Sequence, residues 1–198
     1  MNRTAITGMG FYVPDKVVTN KDLEGMMNTS DEWIRTRSGI HERHWVKDGV
    51  GASDLSIIAS KSAMVDAGVE SSDIDMVIAA TVSSDYYFPG VAVQLQEMMG
   101  MNTIGAFDLR VGCSAFIYGL SVADQFIKTG YCKTILLIGT DVLSSILEKN
   151  PEGRDVGVLF GDGAGAVILQ PSENGSGVLS THMHSEGKYM KELWVELP

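Results

Sequence analysis

Apolar and polar positions along the chain fall into two periods, one of helices and one of strands. TAITG, residues 4–8, opens as a strand. Thr19 stands ahead of Leu23 and Met26 as the cap of a short helix, and Ser30 caps again before DEWIRT. From Ser53 onward Leu55, Ile58, Ala59 and Ala63 recur at helical spacing, and Gly68 stops the run. MVIAATV, residues 76–82, is continuously apolar and predicts a strand buried on both faces. A helix fits 91–99, with Gly100 as its stop. AFDLRV, residues 106–111, then runs into Cys113, and Phe116, Leu120, Ala123 and Ile127 mark one face of a long helix that ends before Gly130. TILLIG at 134–139 and GAGAVIL at 163–169 predict two more buried strands, and VLSTHMH at 178–184 a last one. Strands alternating with helices argue for an α/β fold, a mixed, mostly parallel sheet covered by helices.

Length and composition narrow the picture. The 198 residues are 44% hydrophobic and 20% charged, a globular composition with room for one sizeable domain or part of a larger one. No linker, repeat or low-complexity tract interrupts them. The net charge of -10 argues against a nucleic-acid partner, which needs a basic stripe. No apolar run is long enough to cross a bilayer, and the opening MNRTAITGMG lacks the apolar stretch of a signal peptide. Two cysteines, Cys113 and Cys132, do not make a disulfide framework, so a reducing cytoplasm is the expectation.

Cys113 is the main chemical candidate. It sits where an apolar strand gives way to a helix, and the unpaired N–H groups and positive end of a helix dipole favour thiolate over thiol. Gly112, Ser114 and Ala115 are small enough to let a substrate reach the sulfur. The competing reading is a buried cysteine packed as a small hydrophobe. Cys132 follows a helix end, where the dipole has the wrong sign, and is assigned to packing. The four histidines, His41, His44, His182 and His184, are not spaced to mark a partner for Cys113. HERH is too short for the helical zinc pattern, and no Cys, His and carboxylate cluster predicts a metal site.

Two glycine patterns and one aromatic pair also bear on function. GMGFYVP, residues 8–14, begins like a dinucleotide-binding turn but lacks the third glycine and puts Pro14 where a helix should start. FGDGAGAVIL, residues 160–169, leads into a strand rather than a helix, so it reads as a tight turn with close backbone approach rather than a phosphate cradle. Trp33 and Arg37 stand four apart, on one face if DEWIRTR is helical. An indole face stacks on a planar base and a guanidinium holds phosphate, which suits an adenine nucleotide. A core tryptophan beside a solvated arginine is the alternative.

Together, ITGMGFYVP, TNKDLEGMMNTSDEWIRTRSGIHERH, AFDLRVGCSAFIYGLSVADQFIKTG and FGDGAGAVIL, with THMHSEGKYMKELWVELP more loosely, resemble the β-ketoacyl-acyl-carrier-protein synthase III family. The resemblance implies a thiolase fold, two similar halves in five αβαβα layers, assembled as a homodimer. Residues 1–198 would be the amino-terminal half. It implies that Cys113 accepts an acyl group from acyl-coenzyme A and passes it to malonyl-acyl carrier protein with loss of carbon dioxide. Acyl-coenzyme A is then a substrate, and no cofactor or metal is implied. Thr29, Trp33, Arg37 and Arg154 match positions that hold coenzyme A. Phe88, Phe160 and, more loosely, Leu193 match the acyl and pantetheine channel. The family's catalytic histidine and asparagine lie in the second half, past residue 198, so truncation and an inactive fragment are expected. Arg110 replaces a small residue common in the family and leaves the acyl substrate open. Rival readings are a related ketosynthase of secondary metabolism, a non-catalytic or split subunit, and a cysteine hydrolase lacking a placeable base.

Overall fold

Residues 3–195 are described by a computed structural model, and the closing apolar ELWVELP therefore falls partly outside the described residues. β1 (Thr4–Tyr12) is followed by a hairpin, β2 (Lys16–Thr19) and β3 (Glu42–Trp45), that encloses α1 (Asn20–Glu24) and α2 (Asp31–Ser38). Then come α3 (Ala52–Ala67), β4 (Met76–Ala80), α4 (Val91–Met98), β5 (Gly105–Leu109), α5 (Ala115–Lys128), β6 (Ile135–Val142), α6 (Arg154–Gly157) and β7 (Asp162–Pro171). The main sheet has five strands in the order β1-β7-β6-β4-β5. The β6–β4–β5 part is parallel, and β7 and β1 add to it antiparallel, which makes the sheet mixed.

The continuous apolar strands are sandwiched, and the two-residue period of a strand sorts them. Val77, Ala79, Leu136, Ile138, Ala164, Ala166 and Ile168 face a core built with Leu55, Ala59 and Ala63 of α3 and Val91 and Leu95 of α4. Their neighbours Met76, Ile78, Ile135, Leu137, Val167 and Leu169 face the opposite core, with Ala123 and Ile127 of α5. Ile78 and Leu137 are fully buried, worth about 2 kcal/mol each relative to exposure. A third cluster joins Val18, Leu23, Met27, Ile34, Trp45 and Val158, with Trp33 against it.

Several sequence expectations need correction. α3 begins at Ala52, with Gly51 as its cap, rather than at Ser53. The Ser53 N–H is taken by Asp85 Oδ2 at 3.0 Å, a carboxylate from the loop after β4, so Ser53 has no capping to do. Met26 lies past the end of α1, whose Thr19 cap forms a reciprocal box with Asp22. Residues 178–184 form no strand. The chain turns at Gly175 and Gly177, makes one bond from Val178 N–H to the Thr4 carbonyl at 2.8 Å, and goes on without a ladder partner among the described residues. His182 and His184 consequently do not share a strand face. GMGFYVP, by contrast, makes no dinucleotide-binding turn, in line with its missing third glycine: residues 8–12 run along β1, where side chains at Gly8 and Gly10 would collide with the α3 backbone at Ala63 and Ala59, so these glycines let helix and strand touch. FGDGAGAVIL is an extended strand from Asp162 and not a turn, although its expected close approach is real at Gly161.

Candidate active site

Parallel strands open all their carboxyl ends on one edge of a sheet, where α/β folds place their sites. Here that edge gathers the segments after β4, β5 and β6. The start of β7 joins them, because Asp162 pairs with Val142 at the end of β6. Topology therefore brings Cys113, after β5, to the same edge as the 81–90 loop, which carries Phe88, and as Phe160, just ahead of β7.

Cys113 sits in a single 3-10 turn, Gly112–Ser114, that feeds directly into α5. Gly112 takes the left-handed conformation, φ 63°, that a side chain would resist, and so turns the chain out of β5. Cys113 is exposed and free, whereas Cys132 is buried and free. The packed-hydrophobe alternative thus applies to Cys132 and not to Cys113. Burial, with the Asp75 carboxylate as a lesser cause, pushes the Cys132 thiol above its ordinary value. Among the described residues no hydrogen bond joins Cys113 to a histidine: His44 Nδ1 bonds the Pro14 carbonyl and His182 Nε2 lies 3.2 Å from Ser180 Oγ.

Three carboxylates, which sequence reasoning missed, build the edge around Cys113. Asp141 Oδ1 accepts from Val82 N–H at 2.9 Å, Ser83 Oγ at 3.0 Å and Thr81 Oγ1 at 3.1 Å. Asp108 on β5 accepts from the Val91 and Ala92 N–H groups at 2.8 and 2.9 Å, capping α4 from a neighbouring strand. Asp162 accepts from the Val46 and Ser144 N–H groups at 2.7 and 2.8 Å. The 81–90 loop is thereby fixed at both ends while Tyr87 and Phe88 at its tip are 91% and 86% exposed.

The second group of candidate residues is assembled across the chain. Ser30 caps α2 by accepting from Trp33 N–H at 3.1 Å, and Ile34 is buried beneath it. That leaves Trp33 half-buried, with the Arg37 guanidinium 4.5 Å and the Arg154 guanidinium 4.6 Å from its ring centroid. Arg154 also donates to the Asn28 carbonyl at 3.2 Å. Next to it, the Thr29 hydroxyl is buried with no partner among the described residues. Thr29, Trp33, Arg37 and Arg154 are therefore one cluster: a flat ring, one guanidinium held by the Asn28 carbonyl, a second that is exposed, and a hydroxyl left open among the described residues. Such a surface can stack a planar base and hold phosphate. Phe160 is half-buried, and its carbonyl accepts from Trp45 Nε1 at 3.4 Å. Leu193 is 75% exposed, past the point where Tyr118 Oη donates to the His184 carbonyl at 3.0 Å, and no described contact joins it to Cys113. Among the described residues no group of three or more His, Cys, Asp or Glu is placed to hold a metal ion, and no helix is long and apolar enough to cross a membrane.

Comparison with known proteins identifies the family without bearing on the individual site residues. Residues 107–187 match the family model of 3-Oxoacyl-[acyl-carrier-protein (ACP)] synthase III. A β-ketoacyl-[acyl-carrier-protein] synthase III of Geobacillus kaustophilus is 49% identical over 96% of this chain and 60% of its own. The chain thus spans about three-fifths of the length of the curated relatives it matches. A crystallised β-ketoacyl-[acyl-carrier-protein] synthase III of Thermus thermophilus superposes with a TM-score of 0.92 at 36% identity, covering 98% of this chain and 59% of that one. The priming β-ketosynthase of the R1128 polyketide pathway superposes with a TM-score of 0.82 at 30% identity, covering 87% and 51%. The chain belongs to the β-ketoacyl-[acyl-carrier-protein] synthase III family of thiolase-fold ketosynthases.

Proposed function

We propose that the protein is an acyltransferase that starts fatty acid synthesis, condensing an acyl-coenzyme A with malonyl-acyl carrier protein. The observation that carries this reading is an exposed cysteine at the turn into α5, in a chain that also assembles a tryptophan flanked by two guanidiniums. In the first half-reaction the Cys113 sulfur attacks the thioester carbonyl and the coenzyme A thiolate leaves, taking a proton. The Cys113 N–H helps to hold the oxyanion. In the second, malonyl-acyl carrier protein loses carbon dioxide, and the resulting enolate attacks the Cys113 thioester. Cys113 is expelled and a β-ketoacyl-acyl carrier protein departs. Thr29, Trp33, Arg37 and Arg154 hold the coenzyme A nucleotide. Phe88, Phe160 and Leu193 line the path of the acyl chain and pantetheine. No cofactor enters this chemistry. The reading includes a homodimer working in the cytoplasm.

Incubating the full-length protein with acyl-coenzyme A and mapping the product by mass spectrometry tests this directly. Acylation at the Cys113 peptide is expected. Retained turnover with Cys113 unmodified would overturn it. A second reading, a priming ketosynthase of secondary metabolism, draws on the exposed Arg110 beside the site and on the likeness to a polyketide-pathway enzyme. Relative turnover on acetyl, medium-chain and aromatic coenzyme A esters separates the two.

A further inference from the structure

Arg43 is 5% exposed, and among the described residues no carboxylate pairs with it. Its Nη1 donates to the Val18 carbonyl on β2 at 3.1 Å and its Nη2 to the Val158 carbonyl at 3.0 Å, while Nε has no partner among the described residues. Burying an arginine against two neutral carbonyls is costly, and a point charge could not reach both at once. The bond to Val158 is one of a series along β3. Trp45 Nε1 donates to the Phe160 carbonyl at 3.4 Å, and Val46 N–H donates to Asp162 Oδ2 at 2.7 Å. Between them, a Cβ on Gly161 would lie 3.0 Å from Arg43 Cβ and 3.0 Å from the His44 carbonyl oxygen. The β2–β3 hairpin and the residue after it therefore fasten the 158–162 segment at Val158, Phe160, Gly161 and Asp162. That segment begins directly after α6, which carries Arg154. The same hairpin packs through Val18 and Trp45 on Ile34 and Trp33 of α2. Trp33 and Arg154 thus meet because one hairpin holds both their supports.

We infer that Arg43 is the positioning residue of the Trp33–Arg154 pair, and that its two-carbonyl bridge sets how strongly the protein reads the nucleotide end of its thioester donor. The inference rests on the proposed function. A pantetheine thioester shares the donor's reactive end but lacks the nucleotide, so Arg43 acts on one ligand and not the other.

Calorimetry of the full-length protein with coenzyme A and with 4′-phosphopantetheine tests this. Wild type is expected to bind coenzyme A more tightly. Arg43→Lys, which keeps the charge but loses the fork, is expected to shrink that preference by at least about fivefold with phosphopantetheine affinity kept. An unchanged preference in a folded Arg43→Lys protein overturns the inference alone. No preference in wild type overturns the nucleotide reading, and the inference with it. Should Arg43→Lys fail to fold, Gly161→Ala decides, because its methyl group pushes the segment away from the hairpin: the same loss supports the inference and an unchanged preference overturns it.

Discussion

The Arg154 guanidinium lies 4.6 Å from the centroid of the Trp33 ring, joining α6 to α2 across more than half of the chain. Arg37 approaches the same ring from within α2, at 4.5 Å. The two cations differ in support, since Arg154 bonds the Asn28 carbonyl while Arg37 is exposed. An exposed arginine that stacks on an indole is free to turn its donors to phosphate. In the full-length protein, Arg37→Ala is expected to raise KM for coenzyme A esters about tenfold while leaving kcat within about twofold, because it removes binding shared by ground and transition states. Steady-state kinetics on acetyl-coenzyme A checks this, and an unchanged KM would remove Arg37 from the phosphate site.

Asp108 offers a prediction about the wall of the site. It sits on β5, five residues ahead of the nucleophile, yet its carboxylate caps α4. Gly90 allows this, for a Cβ there would lie 2.5 Å from the carboxylate. Asp108→Ala deletes the cap and is expected to cost about 1–2 kcal/mol in urea unfolding. It also frees the end of the loop that carries Phe88. Asp108→Asn can serve one N–H but not two equally, so it should fall between wild type and the alanine variant. If both variants match wild type, the cap is not what holds the loop.

How much of this was legible beforehand depended on range. The β4 and β6 strands show themselves because sheets covered on both faces need unbroken apolar runs. Thr19, Ser30 and Gly68 work as caps because capping is local chemistry, settled within a few residues. Cys113 and the Trp33–Arg37 spacing were visible for the same reason. Arg154 entered through family resemblance alone, since nothing near it in sequence announces a ring on another helix. The hairpin was missed because its inward positions are Arg43 and Trp45, and an arginine in a core position breaks the apolar alternation that marks a strand. Asp108, Asp141 and Asp162 carry no local signal, because each accepts backbone N–H groups from another segment. Residues 178–184 had the composition of a strand but no neighbouring edge that they pair along.

Acid should weaken the α1–α2 corner. The Thr19 hydroxyl first, and the Thr19 N–H second, hold the Asp22 carboxyl below its ordinary value of 3.8. The Asn20 side-chain amide does the same for Asp31, with burial opposing and Arg35 adding to it. Each group favours the folded state when ionised. Its contribution is therefore complete above about pH 4 and is lost as the pH falls through the lowered folded-state value. Asp22→Asn should be less stable than wild type at pH 7, and the gap in urea midpoint should narrow as the pH falls below about 4. A gap that stays constant with pH would show that Asp22 does not titrate against its Thr19 donors.

The two thiols should separate cleanly in the native state. Cys113 is open to solvent, so iodoacetamide reaches its sulfur without any opening of the fold. Cys132 is 2% exposed, packed with Ile127, Ile135 and Leu169, and its thiolate is further disfavoured by burial and by Asp75. Its alkylation has to wait for local or global unfolding, which slows it by at least about a hundredfold relative to an exposed thiol. Timed alkylation followed by peptide mass spectrometry is expected to give Cys113 labelled early and Cys132 labelled after urea is added. Acyl-coenzyme A added first should protect Cys113 and leave the slow rate at Cys132 unchanged. Equal rates at the two cysteines would mean that Cys113 is shielded, and a shielded sulfur cannot receive an acyl group.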